Sequence, residues 1–344
     1  MNKLTWKNLS LYAGMLFSCA ALLIMPALNT DAGDANMDLR GKAFTNPSEK
    51  FVMPAEWIKK PVKYESWAEG ADIAIMLEQD VYQTILPLIQ RYAKEKNIKI
   101  AVREGTCGIA AGMLAGKTVD MGGFCCPPGK EDRLPGIKFH TLGIVGKAFL
   151  VHPANTVDSL STEQLTNIFR GKIYRWSELK MSNGQQGPDW PIKTIARLHC
   201  ISRPGHWRLM LDKDEYYGPS MKEVGSIPDM LALVAASRES IGSEVLSMVE
   251  KYKYGGKVKI VKINGHSPNN PADLASFKYP YYRTYTITTW QGKGVENPKA
   301  RRLAEYLMNA VETLDPARFG FVPSSGLRKA GWKYSGSELV GEPG

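Results

Sequence analysis

Apolar and polar positions divide the chain into three regimes. In the first, Lys3 and Lys7 precede an apolar run from Leu9 to Leu28 that gives way to small and polar residues over 29–35. That is the order of a secretory signal peptide cleaved near Ala32, ahead of residence in the periplasm. The run also approaches the roughly 20 apolar residues that span a bilayer, so an uncleaved anchor is the rival reading. A lipid anchor at Cys19 fits less well, because bulky Phe17 precedes it and apolar sequence continues beyond it. In the second regime, residues 33–69 are rich in Asp, Gly, Asn, Pro and Lys with little period, which predicts a leader lying on the surface.

From Ala71 the third regime begins. Residues 71–76 alternate as a strand does, and Val81, Ile85, Leu88, Ile89 and Tyr92 then recur at helical spacing, with Pro87 expected to bend that helix. Residues 98–102 read as a second strand, the glycine turn at 105–108 opens a helix through Leu114, and 119–122 form a third, buried strand. Strands alternating with helices predict parallel crossover units with ligand loops at the strand ends; three such loops begin at Glu78, Thr106 and Phe124. The sharpest helix start is at 160–165, where Ser161 can cap, Gln164 can reach back, and Leu160 can pack on Leu165. Further strands are expected over 194–198 and 258–261, and helices over 230–236 and 300–311.

With 44% hydrophobic and 23% charged residues the composition is that of an ordinary globular protein, and the length allows two cores. A formal net charge of +10 favours anionic ligands or surfaces, whereas the dispersed lysines and the export leader argue against nucleic acid. Of five cysteines, Cys19 falls in the leader, leaving Cys107, Cys125, Cys126 and Cys200. An oxidising compartment predicts one or two disulfides among them, though not between the neighbours Cys125 and Cys126. Cys200, just past a strand, is expected as a small core residue. The stretch 112–118 approaches a phosphate-cradling loop, but Ala111 stands where its first glycine is required and a strand follows. Haem-attachment, paired-cysteine zinc, His-Glu-x-x-His and Gly-x-Ser-x-Gly patterns are all lacking. Neither an enzyme nor a resident cofactor is therefore expected.

The stretch from Leu160 to Leu179, Leu-Ser-Thr-Glu-Gln-Leu-Thr-Asn-Ile-Phe-Arg-Gly-Lys-Ile-Tyr-Arg-Trp-Ser-Glu-Leu, resembles the second-lobe signature of the phosphate-binding proteins of ABC transporters. Fainter echoes lie at 119–122, 240–242, 279–283 and 320–323. The resemblance implies an α/β, two-lobed periplasmic binding protein of type II, each lobe a mixed sheet flanked by helices. Lobe 1 would comprise 70–150 and 280–335, lobe 2 would comprise 151–279, and 336–344 would be a tail. The chain would cross outward near Val151-His152-Pro153 and return near Tyr279 to Arg283, with Tyr279, Tyr281, Tyr282 and Tyr285 as packing. It further implies a monomer that captures a small inorganic oxyanion, phosphate-like, for an ABC permease or a sensor.

The binding loops depart from the family's pattern. The family places hydroxyls and helix N-terminal amides around the anion, with an arginine fork. Here Glu78 and Gln79 stand in the first loop, with Asp80 expected to cap the helix. Cys107 replaces a serine between Thr106 and Gly108, and Cys125 stands where the phosphate-proton acceptor would be. Arg203 is kept, but Gly205 and His206 replace a hydroxyl-bearing run. Either these residues still hold an oxyanion, or Cys107, Cys125, Cys126 and His206 form a thiol-based site for a soft metal or a metalloid such as arsenite, or a redox accessory. A Cys107–Cys125 disulfide sealing the cleft is the remaining possibility.

Overall fold

The computed structural model describes residues 43–181, 183–198, 210–211 and 213–344. Among these residues thirteen strands are formed. They are β1 (Ile73–Glu78), β2 (Ile100–Gly105), β3 (Met121–Phe124), β4 (Ile137–Val151), β5 (Ser159–Leu160), β6 (Lys193–Ala196), β7 (Lys222–Glu223), β8 (Ser240–Val245), β9 (Lys259–Ile263), β10 (Tyr282–Trp290), β11 (Phe321–Pro323), β12 (Lys333–Ser335) and β13 (Glu338–Gly341). All but the β12–β13 hairpin belong to one mixed sheet, whose main path runs β2-β1-β3-β10-β4-β8-β6-β7. The expected parallel units are present, with β1 parallel to both β2 and β3.

β4 organises the rest. Its first part pairs antiparallel with β10 through Gly146, and from Lys147 onward it pairs with β8, with β9 joining at Phe149. One strand therefore serves two hydrophobic cores. One core gathers residues such as Ile75, Leu77, Ile85, Leu114, Leu142 and Leu303, and the other Phe149, Leu165, Phe169, Trp176, Ile241 and Val261. At the changeover Gly146 is needed for close approach, since a Cβ there would lie 2.5 Å from the Pro268 carbonyl oxygen. The four tyrosines sit buried beside this point: Tyr279 donates its hydroxyl to the Lys147 carbonyl at 2.6 Å, and Tyr281 meets Phe149 edge-on at 4.9 Å.

Helix α1 (Ala55–Lys59) lies in the segment expected as a leader, and its end is held by a cation. Lys117 donates to the carbonyls of Trp57, Ile58 and Lys60 at 2.7, 3.1 and 2.7 Å, and lies 4.2 Å above the Trp57 ring, which satisfies carbonyls that a helix end leaves open. α2 (Gln79–Lys96) buries Val81, Ile85, Leu88, Ile89 and Tyr92, the predicted face, and continues through Pro87. α3 (Cys107–Ala115) packs Leu114 over Gly122, where a Cβ would come within 2.6 Å. α4 (Thr162–Phe169) starts as its sequence requires: Gln164 N donates to Ser161 Oγ at 3.0 Å, and Ser161 N donates to Gln164 Oε1 at 2.7 Å.

His140, on β4, is largely buried between β10 and the last hairpin. Ser337 Oγ donates to the Phe139 carbonyl at 2.9 Å, so its oxygen accepts from His140 Nδ1 at 3.0 Å, leaving Nε2 to accept from Thr289 Oγ1 at 2.8 Å. Burial, with Lys138 adding to it, lowers the His140 pKa to about 4. The unfolded chain, with an ordinary histidine, binds the extra proton first as pH falls. Stability is thus retained above about pH 6.5 and lost between there and pH 4. Urea unfolding of the wild type should show about 2 kcal/mol less stability at pH 5 than at pH 7 from this group, and His140→Gln should remove most of that difference. An unchanged pH dependence in the variant would rule His140 out as its source.

Candidate functional site

The parallel register assembles the site. Glu78 stands level with Gly105, and Leu77 with Gly123, so the residues that follow β1, β2 and β3 emerge side by side. These are Gln79, then Thr106 with Cys107, then Cys125 with Cys126. Two of the loops lead directly into helices, so the backbone N–H groups at the starts of α2 and α3 point into the same region.

The amides of α2 are occupied by the chain itself. Glu78, not Asp80, is the N-cap: Glu78 Oε2 accepts from Asp80 N at 2.9 Å and from Val81 N at 3.4 Å. The expectation that Asp80 caps the helix is corrected, because Glu78 has the extended backbone of a capping residue while Asp80 is already within the first turn. Asp80 instead turns to Arg283, whose guanidinium also reaches Glu244 Oε1 at 3.1 Å. Glu244 Oε2 in turn receives Arg197 at 2.9 Å. Arg283 is 3% exposed, and Asp80 and Glu244 are completely buried. Asp80 Oδ1 has no hydrogen-bond partner among the described residues.

The sulfurs gather beside Glu78. Cys107 and Cys125 have their Sγ atoms 3.6 Å apart, and Cys125 and Cys126 have theirs 3.9 Å apart, with all three side chains buried. These three cysteines are thiols, since a disulfide would bring a pair to about 2.0 Å. The Cys107–Cys125 disulfide raised as one possibility is therefore not formed. Hydrogen bonding to Cys107 and Cys126, together with burial, pushes the Cys125 thiol well above its ordinary range. Burial and the neighbouring Cys107 and Glu244, opposed by Arg283, push the Glu78 carboxyl up as well. Thr106 caps α3 by accepting from Ile109 N at 3.2 Å, and Gly108 lies exposed in its first turn.

Glu78, Gln79, Thr106, Cys107, Gly108, Cys125 and Cys126 are thus brought to one place, whereas Arg203, Gly205, His206 and Cys200 lie outside the described residues. Sequence reasoning missed Arg283, Glu244 and Arg197. Their signal was a charged residue inside an otherwise buried strand, as in Ser240–Val245 and Tyr282–Trp290, since such charges are seldom buried unless paired.

Loops at the carboxyl ends of parallel strands, helix N-termini aimed at them and a chain shared between two cores define a two-lobed α/β binding protein. Residues 70–311 match the family described as the PBP superfamily domain, and the chain belongs to that family. Among solved structures it is similar to an ABC-type phosphate transport receptor from Vibrio cholerae. That match has 20% identity and a TM-score of 0.57, covering 73% of this chain and 99% of that one. It is likewise similar to a putative phosphate ABC transporter substrate-binding protein with bound phosphate from Clostridium perfringens, at 18% identity and a TM-score of 0.57, covering 68% of this chain and 92% of that one. Among the described residues no helix is long and apolar enough to cross a membrane.

Proposed function

We propose that this chain is a periplasmic solute receptor that closes its two lobes around a small inorganic solute and presents it to an ABC permease or a sensor. The observation that carries the reading is the register of β1, β2 and β3, which brings three strand-end loops to one point, with a carboxylate already seated on the α2 amides. A seat that accepts one oxyanion is chemically suited to another, and the solved relatives include one with bound phosphate. Glu78 sets the condition, because an incoming phosphate-like anion must displace it and then sit near Asp80 and Glu244. The wild type should therefore bind phosphate, arsenate and sulfate weakly. Glu78→Ala should raise phosphate affinity tenfold or more, about 1.4 kcal/mol, by vacating two amides. Calorimetry measures the affinity, and small-angle scattering reads the closure. A chain that stays open with every oxyanion and every metal ion tried, in both wild type and variant, is not a receptor.

A further inference from the structure

We propose that the solute of this cleft is a thiophilic metal cation, bound by the sulfurs of Cys107, Cys125 and Cys126 with Glu78 as the fourth ligand. The inference rests on the receptor reading and names the chemical class of its solute.

Spacing is the first argument. A metal with bonds of about 2.3 Å to sulfur holds tetrahedral thiolates about 3.8 Å apart and trigonal ones about 4.0 Å apart. The measured separations of 3.6 and 3.9 Å match that spacing, and all three sulfurs lie within 4.8 Å of one another. Donor chemistry is the second. Glu78, Asp80 and Cys125 form an overlapping set whose ligand atoms also fall within 4.8 Å, so carboxylate oxygen stands next to the sulfur cluster. Asp80 Oδ1 is itself buried and without a hydrogen-bond partner among the described residues. Thiolates select zinc or cuprous ion over the hard cations, and a carboxylate as fourth ligand suits zinc. Mechanical support is the third. Cys107 is the first residue of α3 and Cys125 follows β3, while Glu78 is tied to α2, so all three elements are fixed by the parallel strands before any ion arrives. As each metal–sulfur bond forms, the thiol gives its proton to solvent, and no oxidation is involved.

The test uses the full exported chain, reduced, with zinc, cuprous ion and cobalt(II) as probes. One equivalent of zinc or cuprous ion should bind with submicromolar affinity, and cobalt should give a thiolate-to-metal charge-transfer band. Cys107→Ser, Cys125→Ser and Cys126→Ser should each weaken binding a hundredfold or more and abolish the band. Glu78→Gln, whose amide oxygen can still accept from the α2 amides, separates ligand loss from unfolding and should weaken zinc about tenfold with an unaltered circular dichroism spectrum. Folded, reduced protein that binds no metal, or binds it equally well as Cys125→Ser, overturns the inference. Scattering distinguishes the two failures: closure with phosphate but not with zinc leaves the receptor and removes the metal, while zinc held by the thiols without closure keeps the site and removes the receptor.

Discussion

Arg283→Met is expected to lower the unfolding free energy by about 3–5 kcal/mol, as removal of one partner of a buried ion pair does. Arg283 bridges Asp80, at the start of α2, to Glu244 on β8, and both carboxylates are fully buried. Glu244 keeps Arg197 when Arg283 is gone, but Asp80 keeps no cation among these contacts. The greater part of the loss should therefore come from Asp80. Adding Asp80→Asn to the methionine variant removes the stranded charge and should restore part of the stability, a non-additive result that a double-mutant cycle in urea would measure. A single-variant loss below about 1 kcal/mol would mean that the network does not hold ionised partners.

Glu338→Ala is expected to cost about 3 kcal/mol, for a related reason. Arg133 is 1% exposed and meets Glu338 through two nitrogens, at 3.2 Å and 2.7 Å. Its remaining donors go to the Thr45 carbonyl and hydroxyl, so the variant leaves it hydrogen-bonded but without a counter-charge. The residues expected as a tail are accordingly bound to β4: Thr141 N donates to the Ser337 carbonyl at 2.9 Å, and Leu339 N donates to Thr141 Oγ1 at 3.0 Å. Glu338→Gln should lose less than the alanine variant, because it keeps acceptors for the guanidinium. Equal losses in the two variants would assign the effect to packing rather than charge.

Legibility in the sequence followed the range of the interactions. Ser161 and Gln164 lie three residues apart, and their mutual capping could be read directly. So could the buried face of α2, whose periodicity is set within five turns of helix. β4 was not legible, because Leu142 to Val151 is buried on both faces and carries no alternation. Nor could the sequence decide between Glu78 and Asp80 as the cap, since Asp80 is drawn off by Arg283, about two hundred residues further along the chain. The thiol cluster was half legible: parallel loops predict that Cys107 and Cys125 meet, but not whether their sulfurs stand at bonding or ligand distance.

The double membership of β4 also has a consequence for how the chain is made. Every strand that pairs with residues 137–151 comes later in the sequence: β8, β9, β10 and finally β11, where Phe321 enters one core and Val322 the other. Synthesis proceeds from the N-terminus, and contacts this distant along the chain form slowly. A nascent chain thus carries an apolar strand that stays unmatched until β8 is made and is completed only with β11. Until those partners are made, an apolar strand with open edges is exposed to aggregation.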